Sequence, residues 1–494
     1  MVRMTTTHAQ EPHHPAATDE GKTFFGHPRM LFNLFSVELW ERFSFYGMQA
    51  ILAYYMYFSV ADGGLGIDQS IALPLVGAYG GGVYLSAIIT AWIADRLIGA
   101  ERTLFYSAVL VMIGHIALAV LPGAAGLAVG LICVAVGSGG VKAAAGSLVG
   151  SLYTRQDPRR DAGFSIFYMG VNIGALVGPL LTGFLHERIG FHYGFGAAAV
   201  GMVLGLAIYA AGRKDLPEET HHVVNPLPKE LRLRYGLIAL AGVVVIVALF
   251  AAGIVTPANL ANVIVGVVVV ASICYFVVLL RSKKVDAVER SRVKAFIPLF
   301  VASAAFFALF QQQFTFIAVY SEERLDRNIL GWEMPASWVQ SINPLFIIIF
   351  AAIFATIWTK MGERQPSTPL KFGTALIIIG IAYLVFIPLE SFEKTPLLAL
   401  VGILLLVTWA ELFLSPIGLS VATKLAPVAF TTQMLALFYL SISLGTTLAG
   451  ILAAFYTEGN EIPYFLSLGG TCVVLGLALG AATPSLKKLM AGVK

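Results

Sequence analysis

The stretch FNLFSVELWERFSFYGMQAIL, residues 32–52, is apolar enough to sit in lipid, yet it carries Glu38, Glu41 and Arg42 near its centre. Each such group costs about 2.5–3.5 kcal/mol at a membrane helix centre, so a cluster must find partners or face water inside the protein. Glu38, Glu41, Arg42, Phe45 and Gln49 are spaced i, i+3, i+4, i+7 and i+11, which places them along one helical face. Two carboxylates beside a guanidinium suit proton binding and charge exchange. A purely structural ion pair explains them less well, because buried ion pairs are weak stabilisers.

Other polar residues in apolar runs extend this set. Lys142 lies in VGSGGVKAAAGSLVG (136–150), whose glycines allow close helix approach and leave room beside the ammonium. The segment lacks the Gly-Lys-Ser/Thr ending of a phosphate-binding loop. Glu411 lies in TWAELFLSPIGLSVATKLAP (408–427), where Pro416 and Gly418 weaken the helix near Ser415; a broken helix there would bend during gating or expose carbonyls to a cavity. Asn172, in FYMGVNIGALVGP, and Asn343, in SINPLFII, are either site residues or bonds to a neighbouring helix. His115 stands alone and reads as a helix-packing residue. Cys133, Cys274 and Cys472 have no metal-ligand spacing and read as small buried hydrophobes.

The elements that must position these residues are membrane helices. The 494 residues are 58% hydrophobic and 12% charged, about half the charge of a soluble domain. Stretches long enough to cross a bilayer number fourteen, at 29–58, 71–97, 103–122, 125–152, 162–186, 192–212, 235–254, 258–281, 293–320, 337–359, 370–390, 396–423, 430–455 and 462–482. With both termini in the cytoplasm, only Arg188, Arg324, Arg327 and Lys394 fall outside, and only Arg42 and Lys142 fall within spans away from their ends. The remaining Lys and Arg lie inside, as the positive-inside bias requires. The expected organisation is a disordered cytoplasmic tail (1–28, with His8, His13 and His14), a six-helix bundle (29–213), cytoplasmic linkers (214–292) around a membrane hairpin (235–281), a second six-helix bundle (293–484) and a tail (485–494). Transporters with paired halves bind substrate between them near the midplane.

Composition and motifs exclude other classes. The net charge of +4 comes from short loops without aromatic platforms, which argues against nucleic-acid binding. A membrane enzyme is not expected, since there is no nucleophile elbow and no cofactor or metal fingerprint. No cofactor and no obligate protein partner are expected.

Three separated segments carry a resemblance. ELWERFSFYG (38–47) matches the signature E-x-x-E-R-F-x-Y/F-Y-G of the proton-dependent oligopeptide transporters, a branch of the major facilitator superfamily. DPRRDAGFSIFYMGVNIGALVGPLLTGFL (157–185) and ELFLSPIGLSVATKLAP (411–427) resemble two further segments of that family, and an inserted hairpin is the habit of its bacterial members. The resemblance implies an all-α major facilitator fold and proton-driven symport of di- and tripeptides across the cell membrane by alternating access. It implies that Lys142, with Arg42 nearby, attracts the peptide carboxylate. Asn172, Asn343 and Glu411 would hold the ammonium end, Tyr46 and Tyr84 would line the pocket, and Ser415 would be a small polar contact.

The chain departs from the family at several of these positions. Gln49 and Gln311 stand where many members have an arginine and a glutamate; the two amides can still hydrogen bond, but neither can titrate. Ala143 and Ala144 replace a common Pro-Asn, and Phe438 replaces a common tryptophan. Proton coupling is therefore expected at Glu38, Glu41 and Glu411, with Arg42 as the paired cation. The alternative is a same-fold transporter of a non-peptide solute, such as a nitrate-like anion or a drug.

Overall fold

The structure, a computed structural model, describes residues 23–154, 156–223 and 225–493. Residues 1–22 of the expected tail, with its three histidines, lie outside the described residues. The rest of that tail is ordered, contrary to expectation: Phe24 and His27 form a backbone bridge, and His27 Nδ1 hydrogen bonds to Tyr153 Oη at 2.8 Å. Burial of His27 against the first bundle explains the order.

The first half comprises α1 (Met30–Tyr57), α2 (Gln69–Ile93), α3 (Ala100–Val120), α4 (Gly123–Ser151), α5 (Arg160–Ile189) and α6 (Phe191–Gly212). A hairpin follows, of α7 (Lys229–Ala251) and α8 (Leu260–Arg281). The second half contains α9 (Ala287–Phe310), α10 (Phe316–Glu323), α11 (Ile342–Met361), α12 (Thr368–Leu384), α13 (Phe386–Leu389), α14 (Leu397–Lys424), α15 (Thr431–Ala453) and α16 (Glu461–Leu489). Since α9 with α10 and α12 with α13 each form one span, the fourteen expected crossings are present. Thirteen satisfy length and hydropathy alone, and α1, with its three charges, is the fourteenth. The fold is the all-α major facilitator architecture. The last helix runs to Leu489, into the residues expected to form a tail.

The halves meet tightly along α2 and α15. A Cβ on Gly77 would fall 2.8 Å from Gly450 Cα, so glycine at both positions permits the backbone approach. Ser443 Oγ donates to the carbonyl of Gly81 at 2.8 Å in the same seam. Further contacts close the side opposite the termini. Tyr54 Oη donates to Ala318 O at 2.9 Å, Trp338 Nε1 to Leu180 O at 2.9 Å, and Ser341 Oγ to Leu176 O at 2.8 Å. Arg327 also ties Glu187 of the first half to Glu322 of the second, at 3.5 and 3.3 Å.

The hairpin packs chiefly by one helix, α7 touching α2 through the Tyr235 ring, 5.4 Å from that of Trp92. No residue of α7 is buried, whereas α8 buries Ala261, Val268, Ser272 and Leu279 and lies against α2 and α15.

The helix break lies away from Pro416. α14 continues through Pro416 and Gly418, so the weakened stretch near Ser415 is not broken in this conformation. The interruption falls between α9 and α10, where Gln311–Phe314 form a 3-10 turn and Thr315 takes φ −128° and ψ −89°. Here the side chain of Gln312 is satisfied inside the bundle: its Nε2 donates to the backbone carbonyl of Ala308 at 3.2 Å, and Tyr464 Oη donates to its Oε1. Irregular backbone at membrane depth is tolerated where protein surrounds it or a cavity adjoins it, and both conditions hold here.

Candidate functional site: a cavity between the halves

The α1 charges form one compact cluster. Arg42 Nε donates to Glu38 Oε1 at 2.7 Å and lies 3.3 Å from Glu41 Oε2. From α4, Ser138 Oγ donates to Glu41 Oε1 at 2.6 Å. All three ionisable side chains are buried. Two carboxylates face one guanidinium, and Glu38 Oε2, Glu41 Oε2 and Arg42 Nη1 are buried without a hydrogen-bond partner. Such an arrangement has capacity for one more positive charge.

Lys142 lies one turn beyond Ser138 on α4. Its Nζ is 5.4 Å from the ring centre of Phe45 and 5.6 Å from that of Tyr84, close enough for a cation–π attraction. Among the described residues it pairs with no carboxylate within 4.0 Å. The Glu41 carboxylate is instead paired with Arg42, which leaves the Lys142 ammonium unpaired among the described residues.

Phe45 and Tyr84 also line a cavity of about 240 Å³ between the two halves. Of the residues expected at a binding site, Tyr46, Gln49, Tyr84, Asn172, Gln311, Asn343, Glu411 and Ser415 line it. Glu38, Glu41, Arg42 and Lys142 stand behind that lining. Two aromatic pairs span the halves: Tyr46 stacks on Phe314 at 6.0 Å and Tyr84 on Tyr439 at 6.4 Å.

Across the cavity, Asn343 Nδ2 donates to Glu411 Oε2 at 3.1 Å and to Thr408 Oγ1 at 3.0 Å. Asn172 does not join this pair; its Nδ2 donates to Tyr168 O of its own helix at 2.9 Å. Gln49 and Gln311 make no mutual hydrogen bond, and Gln49 Oε1 is buried without a partner. Ser415 Oγ is likewise unpartnered. These free acceptors and hydroxyls are available to a polar ligand.

Several lining and supporting residues escaped the sequence reading. Tyr168, Gln313, Gln340 and Thr446 line the cavity, and both amide atoms of Gln340 are buried without a partner. The signals were local ones: Tyr168 lies one turn before Asn172, Ser138 one turn before Lys142, and Thr408 one turn before Glu411. Helical adjacency to each suspect residue would have found all three. His115 is fully buried with both ring nitrogens unpartnered, and it is remote from the cavity lining. Among the described residues no cluster of His, Cys, Asp and Glu is arranged to hold a metal.

Comparison with known proteins matches this architecture to a family. The sequence model PTR2, described as the POT family, matches residues 101–468, about three-quarters of the chain. The chain belongs to the POT family. Its relatives include an uncharacterised transporter of Bacillus subtilis (strain 168), YclF, which is 42% identical with 96% of this chain and 97% of the relative covered. A di-/tripeptide transporter of Lactococcus lactis subsp. cremoris is 39% identical, with 96% and 98% covered. The fold superposes on a crystal structure of the peptide transporter POT in complex with sulfate with a TM-score of 0.92, at 44% identity and with 95% and 97% of the two chains covered. POT family members are transporters, so this chain is a membrane transporter rather than an enzyme. The signature at 38–47 lies before the matched segment, and there the relationship rests on the full-length relatives.

Proposed function

We propose that this POT-family chain is a proton-coupled symporter that imports di- and tripeptides across the cell membrane, with both termini in the cytoplasm. One observation carries the reading: the cavity between the halves has the Asn343-held carboxylate of Glu411 on one side and the Lys142 ammonium behind Phe45 and Tyr84 on the other. A zwitterion requires opposite charges at opposite ends of one cavity, whereas its variable side chains need space more than specific bonds. The name of the Lactococcus relative supports the same substrate class. The distribution of Lys and Arg supports the orientation.

The bundles 29–213 and 293–484 would rock about the cavity while the hairpin 235–281 rides on the seam of α2 and α15. In the present conformation the contacts of Tyr54, Trp338 and Ser341 close the outer side. When the outer side opens, a proton neutralises Glu41 or its neighbour Glu38, which balances the excess carboxylate of the cluster. Lys142, which pairs with no described carboxylate, attracts the peptide carboxylate, with Arg42 adding positive potential behind it, while Glu411, Asn343 and Asn172 receive the ammonium end. Tyr46, Tyr84 and Ser415 border the peptide. Gln49 and Gln311 offer neutral hydrogen bonds only, so the proton is carried elsewhere. Closure of the outer contacts and opening toward the cytoplasm release both, and the Arg42 pairs re-form. The coupling agent is a proton, and no other cofactor takes part.

Counterflow into proteoliposomes loaded with unlabelled dipeptide tests the substrate class. A labelled dipeptide should exchange, and external di- and tripeptides should compete. Competition by nitrate or a drug-like solute, without competition by peptides, would replace this reading with a non-peptide substrate.

A further inference from the structure

A larger cavity lies away from the transport pathway, in the second bundle on the side of the termini. It occupies about 760 Å³ between the ends of α11, α12, α14 and α16. Lys371, Lys424 and Lys487 line it, and no acidic residue is among the described residues of its wall. None of the three ammonium groups pairs with a described carboxylate. Lys371 is 8% exposed and fixed in place, its Nζ donating to Gln365 Oε1 at 2.9 Å and lying 4.3 Å from the ring centre of Trp358.

Two further features point to an anion. Ser367 Oγ lines the cavity, is shielded from solvent and has no partner. Ser367 also immediately precedes α12, a 17-residue helix with Pro369 in its first turn and no side-chain cap on the N–H groups that remain there. A helix start of this kind offers unpaired donors and the positive end of the helix dipole. Basic residues at this membrane face are ordinary when they radiate into water. Here one of them, Lys371, is buried, and it lines the same cavity as the exposed Lys424 and Lys487, where like charges repel unless an anion lies among them.

We propose that this cavity is a binding site for a phosphate group. Three ammonium donors, a free hydroxyl and a helix start suit a ligand with several oxygens better than a single carboxylate. α11, which contributes Trp358, exposes Ile353 and Ile357 on its outer surface, so the phosphate of an anionic phospholipid headgroup can arrive from the adjacent leaflet. A soluble phosphate ester presents the same chemistry from the aqueous side. The site is separate from the peptide cavity and does not depend on the transport reading.

The full chain in neutral detergent, measured by native mass spectrometry against phosphatidylglycerol and phosphatidylcholine, tests the proposal. A parallel equilibrium measurement uses glycerol 1-phosphate. The wild type should retain phosphatidylglycerol in preference to phosphatidylcholine, and Lys424→Gln with Lys487→Gln should weaken that retention about fivefold per lysine. Both lysines are exposed, so the double variant should remain folded. Ser367→Ala, which keeps every charge, should weaken binding in its own right. Lys283→Gln with Lys284→Gln, a charge-matched change on an exposed linker, should leave retention unchanged. Binding of glycerol 1-phosphate identifies a soluble ester as a competent source, and retention of phosphatidylglycerol alone identifies the lipid; both support a phosphate site. Absence of both, or wild-type binding by the Lys424→Gln, Lys487→Gln protein, overturns it.

Discussion

Ser138 Oγ donates a 2.6 Å hydrogen bond to Glu41 Oε1, joining α4 to the charged face of α1 one turn from Lys142. Replacing Ser138 with Ala leaves that carboxylate oxygen buried without its donor. A hydrogen bond to a charged group contributes about 1.5–3 kcal/mol, so the variant should unfold at a lower temperature in detergent. Proton-driven uptake should fall while peptide counterflow is retained. An unchanged melting temperature together with unchanged uptake would show that Ser138 does not hold Glu41.

Glu41→Gln removes the titratable group while keeping its size and hydrogen-bonding capacity. Proton-driven accumulation in proteoliposomes should disappear, and counterflow, which needs no net proton movement, should persist. Uphill uptake at the wild-type level would remove Glu41 from the coupling step. Lys142→Ala, by contrast, should damage both activities, because it deletes the cation expected to attract the peptide carboxylate.

Asn343 orients Glu411 through the 3.1 Å bond from its Nδ2. Asn343→Ala frees the carboxylate to reorient, which should weaken dipeptide affinity about tenfold or more, in line with a lost charge-assisted hydrogen bond. Competition of counterflow by a graded dipeptide series measures this. Wild-type affinity would show that Asn343 serves only the α11 to α14 contact through Thr408.

The outer closure rests in part on two bonds from one turn, Trp338 Nε1 to Leu180 O and Ser341 Oγ to Leu176 O. Trp338→Phe with Ser341→Ala removes both donors and little volume. The balance of conformations should shift toward the form open on that side, since the lost bonds exist only when it is closed. Faster thiol labelling of a cysteine placed at Gln340 would register the shift. No change in labelling rate would show that these bonds do not set the equilibrium.

The parts legible in the sequence were those where a residue type conflicts with its surroundings. Glu38, Glu41, Arg42, Lys142 and Glu411 are conspicuous because charge is costly in lipid, and the fourteen spans follow from the same contrast. Ser138 and Thr408 were legible only through their neighbours: each lies one turn from a conspicuous charge, and packing then gives Ser138 the carboxylate of Glu41 and Thr408 the amide of Asn343. The site of the helix break was not legible. Pro416 removes one backbone bond, which α14 accommodates, whereas at the break between α9 and α10 the Gln312 amide donates to the carbonyl of Ala308. The order of residues 23–28 depends on His27 reaching Tyr153, a contact across 126 residues that no local pattern reveals.

The central claim, that a proton gradient drives peptide import through this cavity, is tested most directly by uptake of a labelled dipeptide into proteoliposomes, with and without an inward proton gradient. Accumulation above the external concentration, present with the gradient and abolished by a protonophore, is the predicted result. Uptake that only equilibrates and is indifferent to the gradient would contradict the account.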